Sequence, residues 1–300
     1  MQDGARPAPL RPGHGLMAAF VGLLLIVAPA VGARLAREPG PVSAFAAQLD
    51  AELRPAAPGP AGTPEQVQAR ARALQVAALG EARAAWAAGD EARGRALSTQ
   101  LYVHAADPAV RAAALQLFLD GHFSRWPEGY RAGFLARLSP AVIEAAREHH
   151  IPPSVALAQA VIESGWGRSS LARRHHNYFG VKGGGAHNGV RLSSKEFRRG
   201  KLRGSRDTWR RYESADAAVE HHARLLGKDG RYRNARPHWT DWRAFLDAIA
   251  PRYASSPTYA RTVASVVEAY DLHELDALIV GAVHHDELVI AAADALDDAG

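Results

Sequence analysis

From Ser154 to Ile162 the chain is apolar except for Ser154 and Gln159. A helix that is apolar on nearly every side is a buried one. Pro152 and Pro153 suit its first turn, where a missing N–H costs nothing. Gly165 suits the left-handed residue that ends it. Elsewhere the pattern is more mixed. Thr63-Pro64-Glu65-Gln66 has the form of a helix start, with Thr as N-cap, Pro at the first position and Gln three residues after the cap. The Ala- and Arg-rich stretch behind it predicts a helix to about Ala88, closed by Gly89. Further helices are expected over Asp90–His104, from Asp107-Pro108 to Gly121, and over Pro140–His149, opened by Ser139-Pro140. Between Gly183 and Tyr212 the period shortens. Val190-Arg191-Leu192, Lys195-Glu196-Phe197 and Thr208 to Tyr212 alternate, which predicts a small β-lobe or hairpin. Helical patterns return over Ala215–Leu226, Asp241–Ala250 and Pro257–Tyr270, and a further apolar helix is expected after Asp276. The fold class is therefore α+β: a mostly helical domain with a small β-lobe, preceded by a short all-α region.

The N-terminus changes this picture. Arg6 and Arg11 precede an apolar run from Leu16 to Ala33, broken by Pro29 and ending in the small residues Val31-Gly32-Ala33. Its core, Leu16–Ala28, has the length of a signal-peptide h-region. As a membrane span the run is marginal, since about 20 apolar residues are needed. Residues 1–33 read as a signal peptide or an inner-membrane anchor. Either places the body of the protein outside the cytoplasm, in the periplasm or cell envelope. The Pro- and Gly-rich segment 34–63 reads as a linker. A 300-residue chain that is 47% hydrophobic is long enough for a sizeable core, and its formal charge of +5 favours polyanionic partners. With no cysteine there is no thiol nucleophile, disulfide or zinc–thiolate site.

Glu163 is the candidate for chemistry. It stands at the end of the apolar helix, directly before the turn Gly165-Trp166-Gly167. Desolvation disfavours its charged form, and so does the negative end of the helix dipole. A carboxyl raised in this way, with Trp166 expected beside it, has what a general acid needs near neutral pH. The competing reading is an ordinary ion pair between Glu163 and one of the many arginines.

Three blocks in order carry a family likeness: A-L-A-Q-A-V-I-E-S-G-W-G over Ala156–Gly167, N-Y-F-G-V-K over Asn177–Lys182, and R-Y-A-S-S-P-T-Y-A over Arg252–Ala260. Together they resemble the N-acetylglucosaminidases of glycoside hydrolase family 73, over roughly Leu138 to Leu275. The resemblance implies a lysozyme-like domain over 136–275 that cuts the β-1,4 bond after N-acetylglucosamine in peptidoglycan. It leaves a helical region at 64–135 and a tail at 276–300 without a role. Carried onto this sequence, Glu163 matches the general acid. Glu196 matches a second carboxylate in the β-lobe, with Asp207 and Glu213 as competitors. Tyr253 matches a cleft tyrosine that assists at the reacting sugar. Glycoside cleavage needs an acid for the leaving oxygen and a group that activates water or stabilises the oxocarbenium centre. Glu196 could serve as that group, or the substrate's own N-acetyl could attack. Trp166, Asn177, Tyr178, Phe179, Gly180 and Tyr259 are assigned to substrate binding.

The same residues leave two other readings open: a lytic transglycosylase, which needs no second carboxylate, and a non-catalytic wall-binding scaffold. The segment Arg191–Arg211 carries nine lysines and arginines against two acids. For an exported protein that charge fits acidic envelope polymers better than nucleic acid. No cofactor is expected. The four His-His pairs do not form metal clamps, because neighbours on a helix point apart, so no metal site is assigned.

Overall fold

The computed structural model describes residues 63–283 apart from 128, 184, 199 and 200. The expected leader or anchor, the linker up to residue 62 and the tail from 284 onward lie outside the described residues. No helix among the described residues is long and apolar enough to cross a membrane. The chain divides into two compact units, with the break between Arg111 and Ala112.

The first unit holds α1 (Pro64–Ala87), α2 (Glu91–His104) and the first turn of α3 (Pro108–Phe123). The expected capping box is present: Thr63 Oγ1 accepts from Gln66 N–H, and Gln66 Oε1 accepts from Thr63 N–H. Gly89 turns the chain at φ +75°, and Trp86 packs so closely on Gly94 that an added Cβ would stand 2.7 Å from the indole.

The second unit begins with the remainder of α3, which does not stop at Gly121 but continues to Phe123. It then contains α4 (Tyr130–His149), α5 (Pro153–Ser164), α6 (Ser170–His175), the single turn α7 (Gly185–Asn188), the hairpin β1 (Gly189–Arg198) and β2 (Lys201–Arg210), α8 (Ala215–Lys228), α9 (Trp242–Tyr253) and α10 (Tyr259–Ala269). A 3-10 turn at Leu272–Leu275 leads into helical residues 276–283. This is the expected mostly helical α+β domain. α4 starts ten residues before the expected Ser139-Pro140 boundary, which places Pro140 inside it. Its buried face (Phe134, Leu135, Leu138, Val142, Ile143) runs straight through the proline. That continuous packing outweighs the single backbone bond a proline removes. The boundary expected at 135/136 thus falls within a continuous helix.

α5 is the axis of the unit. Ten of its residues are buried, and it packs against α4, α9, α10 and the Leu272–Leu275 turn. Its N-cap, Pro152, offers no side-chain hydrogen bond. Asp276 supplies one from the far end of the domain, accepting from Ser154 N–H at 2.9 Å and from Ser154 Oγ at 2.7 Å. A carboxylate at a helix N-terminus is favoured by the dipole. Burial wins nonetheless and pushes the Asp276 carboxyl up to about 7.

The hairpin pairs Gly189 with Arg210 at its base and Arg198 with Lys201 at its tip. Within this register Val190 pairs with Trp209, Leu192 with Asp207 and Glu196 with Arg203. Lys182 bridges to Trp209, so the chain just before the hairpin is stitched to its second strand.

Asp276 makes stability pH-dependent in a definite direction. Its folded-state pKa lies above the unfolded value, so the native state holds the extra proton between the ordinary 3.8 and about 7. Its contribution is fully present below that window and is lost as pH rises through it. Asp276→Asn still accepts from Ser154 N–H through Oδ1, can donate from Nδ2 to Ser154 Oγ in place of the bond it accepted, and removes the titration. Urea midpoints should show the variant gaining on the wild type from pH 4 to pH 7; a parallel pair of curves would reject this account.

Candidate active site

Glu163 is the penultimate residue of α5. Behind it, Gly165, Trp166 and Gly167 all take left-handed backbone, at φ +58°, +62° and +72°. Only glycine enters that region freely, and Gly167 is doubly constrained, since an added Cβ would stand 2.7 Å from the Phe134 ring. The turn is locked by Trp166 N–H donating to Val161 O at 2.9 Å and Gly167 N–H donating to Ser164 Oγ at 2.7 Å. It ends α5 abruptly and leaves Glu163 at its carboxyl end.

What faces Glu163 is neutral. A Cβ on Gly180 would meet Glu163 Oε2 at 3.4 Å and Trp209 Cζ3 at 3.8 Å, so the carboxyl and the β2 indole close on the same glycine. Gly180 itself stands at φ +60°. From the other side come Tyr259 and Tyr253, both close enough to feel its charge. Burial raises the Glu163 pKa and the Tyr259 hydroxyl partly offsets it. Among the described residues no arginine or lysine pairs with this carboxyl, so the ion-pair reading of Glu163 does not hold there.

The tyrosines sit within a buried polar chain. Tyr253 and Tyr259 stack with ring centroids 5.4 Å apart. The Tyr253 hydroxyl donates to Phe179 O at 3.4 Å. Gln159 Nε2 donates to the Tyr259 oxygen at 3.1 Å, and Gln159 Oε1 lies 3.0 Å from His222 Nε2. His222 lies flat on Phe179, centroids 3.8 Å apart and planes 6° from parallel. Complete burial drops its pKa to about 3. Both tyrosine hydroxyls are pushed far above their usual value by burial first and the nearby Glu163 charge among the further causes.

Several predicted substrate contacts have other work. Asn177 is buried, and its amide is fully engaged. Nδ2 donates to Val181 O at 2.9 Å and Arg210 O at 2.8 Å, while Oδ1 accepts from Val181 N–H at 3.0 Å. It ties the 177–181 turn to the base of β2. Phe179 is buried under His222. Neither presents a free polar group to a ligand. Trp166 packs on Phe134 and Tyr270 (centroids 6.4 and 5.1 Å) and lines a cleft of about 550 Å³ with Tyr130, Arg137, Arg168 and Arg173. The indole near Glu163 is Trp209. Tyr178 touches Phe134, 6.0 Å between centroids. Asp207 is paired with Lys182 at 3.4 Å, and Glu196 stands on β1 opposite Arg203. Sequence reasoning passed over Gln159 and His222 as site residues. The first had a signal, an amide inside an apolar helix; the second had none, because its partner lies 63 residues away.

One group of potential metal ligands occurs among the described residues: Glu148, His149 and Glu220, with ligand atoms within 4.8 Å of one another. His149 Nε2 already meets Glu220 Oε1 at 2.7 Å, a contact that joins α4 to α8.

Residues 139–272 match the glucosaminidase family, described as mannosyl-glycoprotein endo-beta-N-acetylglucosaminidase. The chain is 33% identical over 134 residues to the exo-glucosaminidase LytG of Bacillus subtilis, covering 43% of this chain and 48% of that protein. It is 30% identical over 141 residues to the peptidoglycan hydrolase FlgJ of Salmonella typhimurium, covering 45% of each. The chain thus spans about half the length of these curated relatives. Among solved structures, the catalytic domain of the autolysin Auto from Listeria monocytogenes is 24% identical with a TM-score of 0.45, covering 52% of this chain and 94% of that one. The chain thus carries, at residues 139–272, a domain that matches the glucosaminidase family.

Proposed function

We propose that this domain is a glycoside hydrolase that cuts the β-1,4 bond after N-acetylglucosamine in peptidoglycan, with Glu163 as general acid. The observation that carries the reading is the neutral enclosure of Glu163. A carboxyl raised by burial, with a glycine, an indole and two tyrosines around it, keeps its proton at a pH where a solvated glutamate has lost it. It can then protonate the leaving glycosidic oxygen. The family match and the names of the relatives point to the same substrate.

Glu196 is the proposed second carboxylate. Asp207, its competitor, has its charge answered by Lys182, which favours Glu196 for activating water or steadying the oxocarbenium centre. Tyr253 and Tyr259 are the proposed tyrosine wall at the reacting sugar, with Trp166 and Tyr178 further along the glycan. The basic hairpin suits an acidic wall polymer, and the cell envelope is the proposed place of action.

Digestion of purified peptidoglycan, followed by mass spectrometry of the fragments, tests the activity. Reducing N-acetylglucosamine ends are expected. Anhydro-muramic ends would assign a transglycosylase, and wall binding without release would assign a scaffold. Glu163→Gln should lower kcat at least about a hundredfold with the fold intact; retained turnover would reject Glu163 as the acid. Glu196→Gln should also cost orders of magnitude in kcat. A loss under about tenfold would instead favour attack by the substrate's N-acetyl group.

A further inference from the structure

We propose that the arginine-lined aromatic cleft at Trp166 binds the carboxylates of the peptide stems of peptidoglycan, so that the domain grips its substrate by the stem as well as by the glycan. The inference rests on the reading of this domain as a peptidoglycan hydrolase and adds to it a second point of recognition. Trp166 follows Glu163 by three residues, so their Cα atoms stand at most about 11 Å apart. That keeps the cleft within reach of a strand held at the acid.

The cleft is walled by two aromatic rings, Tyr130 and Trp166, and by the arginines at 137, 168 and 173. A fourth guanidinium, that of Arg131, stands over both rings, 5.2 Å from the Trp166 centroid and 5.7 Å from that of Tyr130. Its Nε donates to the Tyr130 hydroxyl at 3.1 Å. Arg168 lies over the Tyr130 ring as well, at 4.9 Å, and Arg137 lies over Phe134 at 5.9 Å. Tyr130 thus carries two guanidinium groups while remaining 51% exposed. Stacking on a ring holds a guanidinium by its face and leaves the N–H donors along its edge for a ligand. Arginines fixed in this way lose less freedom on binding than arginines in open water.

Among the described residues, none of these four arginines pairs with a carboxylate. Other arginines of the domain do: Arg125 with Glu274, Arg231 with Asp229 and Arg243 with Glu268. α4 begins at the same place with no acid in its first turn and no side-chain cap. Its positive end adds to the four charges instead of offsetting them. Like charges gathered without a counter-ion work against the compact state, and an anion from outside relieves them. The guanidinium fork matches a carboxylate through two parallel hydrogen bonds, and the rings beside it suit the aliphatic part of a short peptide. Where its stems are attached the glycan carries no charge, so the free carboxylates of an intact wall strand are those of the stems. A phosphate would meet the same forks, and the experiment separates the two.

The test measures binding of the full chain carrying Glu163→Gln, which removes turnover, to purified peptidoglycan freed of phosphate polymers with hydrofluoric acid. The same wall is compared before and after its carboxylates are converted to amides with a carbodiimide and ammonia. The chain should bind the unamidated wall about tenfold more tightly, the worth of a charge-assisted hydrogen bond. Adding Arg168→Gln and Arg173→Gln, both at exposed positions, should bring that preference below about threefold. Adding Arg70→Gln and Arg83→Gln in α1 instead removes the same formal charge and should leave the preference in place. A preference that survives Arg168→Gln with Arg173→Gln overturns the proposal. So does an equal loss in the α1 variant, which would mark a general attraction to negative charge. Tight binding seen only before the phosphate polymers are stripped would overturn it in favour of a phosphate ligand. The reading of the domain as a hydrolase fails separately: the unsubstituted chain would then release no fragments from the wall while the carboxylate preference stood.

Discussion

A helix enclosed on every side must find partners inside the protein for each polar group it carries, because an unpaired buried group costs about 1–3 kcal/mol. α5 carries four polar side chains: Ser164 bonds back to Ala160 O within the helix, and the other three, at spacings of five and four residues, each meet a distant part of the chain. Ser154 is met by Asp276, Gln159 by His222 and Tyr259, and Glu163 lies near Tyr259. The partners come from α8, α10 and the helical residues that begin at Asp276. The fold of the second unit and the environment of its acid are thus one requirement. The polar positions of α5 dictate which elements must close around it, and that closure leaves Glu163 half-buried.

The turns on either side of the carboxyl depend on the same enclosure. Gly165, Trp166 and Gly167 leave α5 through three left-handed residues, an arrangement that costs about 1–2 kcal/mol at a residue with a side chain. The Trp166 ring offsets this by packing on Phe134 and Tyr270. Gly180 approaches from the opposite side at φ +60°, held there by the three hydrogen bonds of Asn177. The same amide fastens the turn to Arg210 at the base of the hairpin. A residue in this segment can therefore matter to the chemistry without touching a sugar.

Much of this was legible in the sequence, and the parts that were not share a cause. The buried helix, its proline start, its glycine stop, the Thr63 capping box and the hairpin are local patterns, with cause and effect within a few residues. The raised carboxyl was legible too, because apolar neighbours in sequence become apolar neighbours in space on a buried helix. The start of α4 was misjudged because Pro140 is a local signal, whereas the packing that overrides it runs along the whole buried face. Trp166 lies three positions from Glu163 in sequence, whereas Trp209, 46 positions away, is the indole that meets Gly180 alongside the carboxyl. Chain neighbours across a left-handed turn point apart, and only the register of β2 brings Trp209 to Gly180. Asn177 and Phe179 belong to a motif that looks like a binding loop, yet what they bind is the protein itself.

The chain carries 36 lysines and arginines, and a solitary glutamate in such company would ordinarily be paired and fully ionised. Among the described residues, ion pairs are made by other acids: Asp207 with Lys182, Glu274 with Arg125, Glu268 with Arg243. Glu163 is left to hydroxyls and an indole. A cation within a few ångströms would drive its pKa down and end its use as an acid. The basic charge is therefore useful only if it stays outside the site, where it can draw in an acidic polymer over a distance of about a Debye length, 8–10 Å in physiological salt. The burial of α5 keeps these two demands apart. Long cationic side chains cannot follow their charge into an interior that offers them no partner, so attraction operates at the surface while proton transfer operates at the end of a helix from which charge has been excluded.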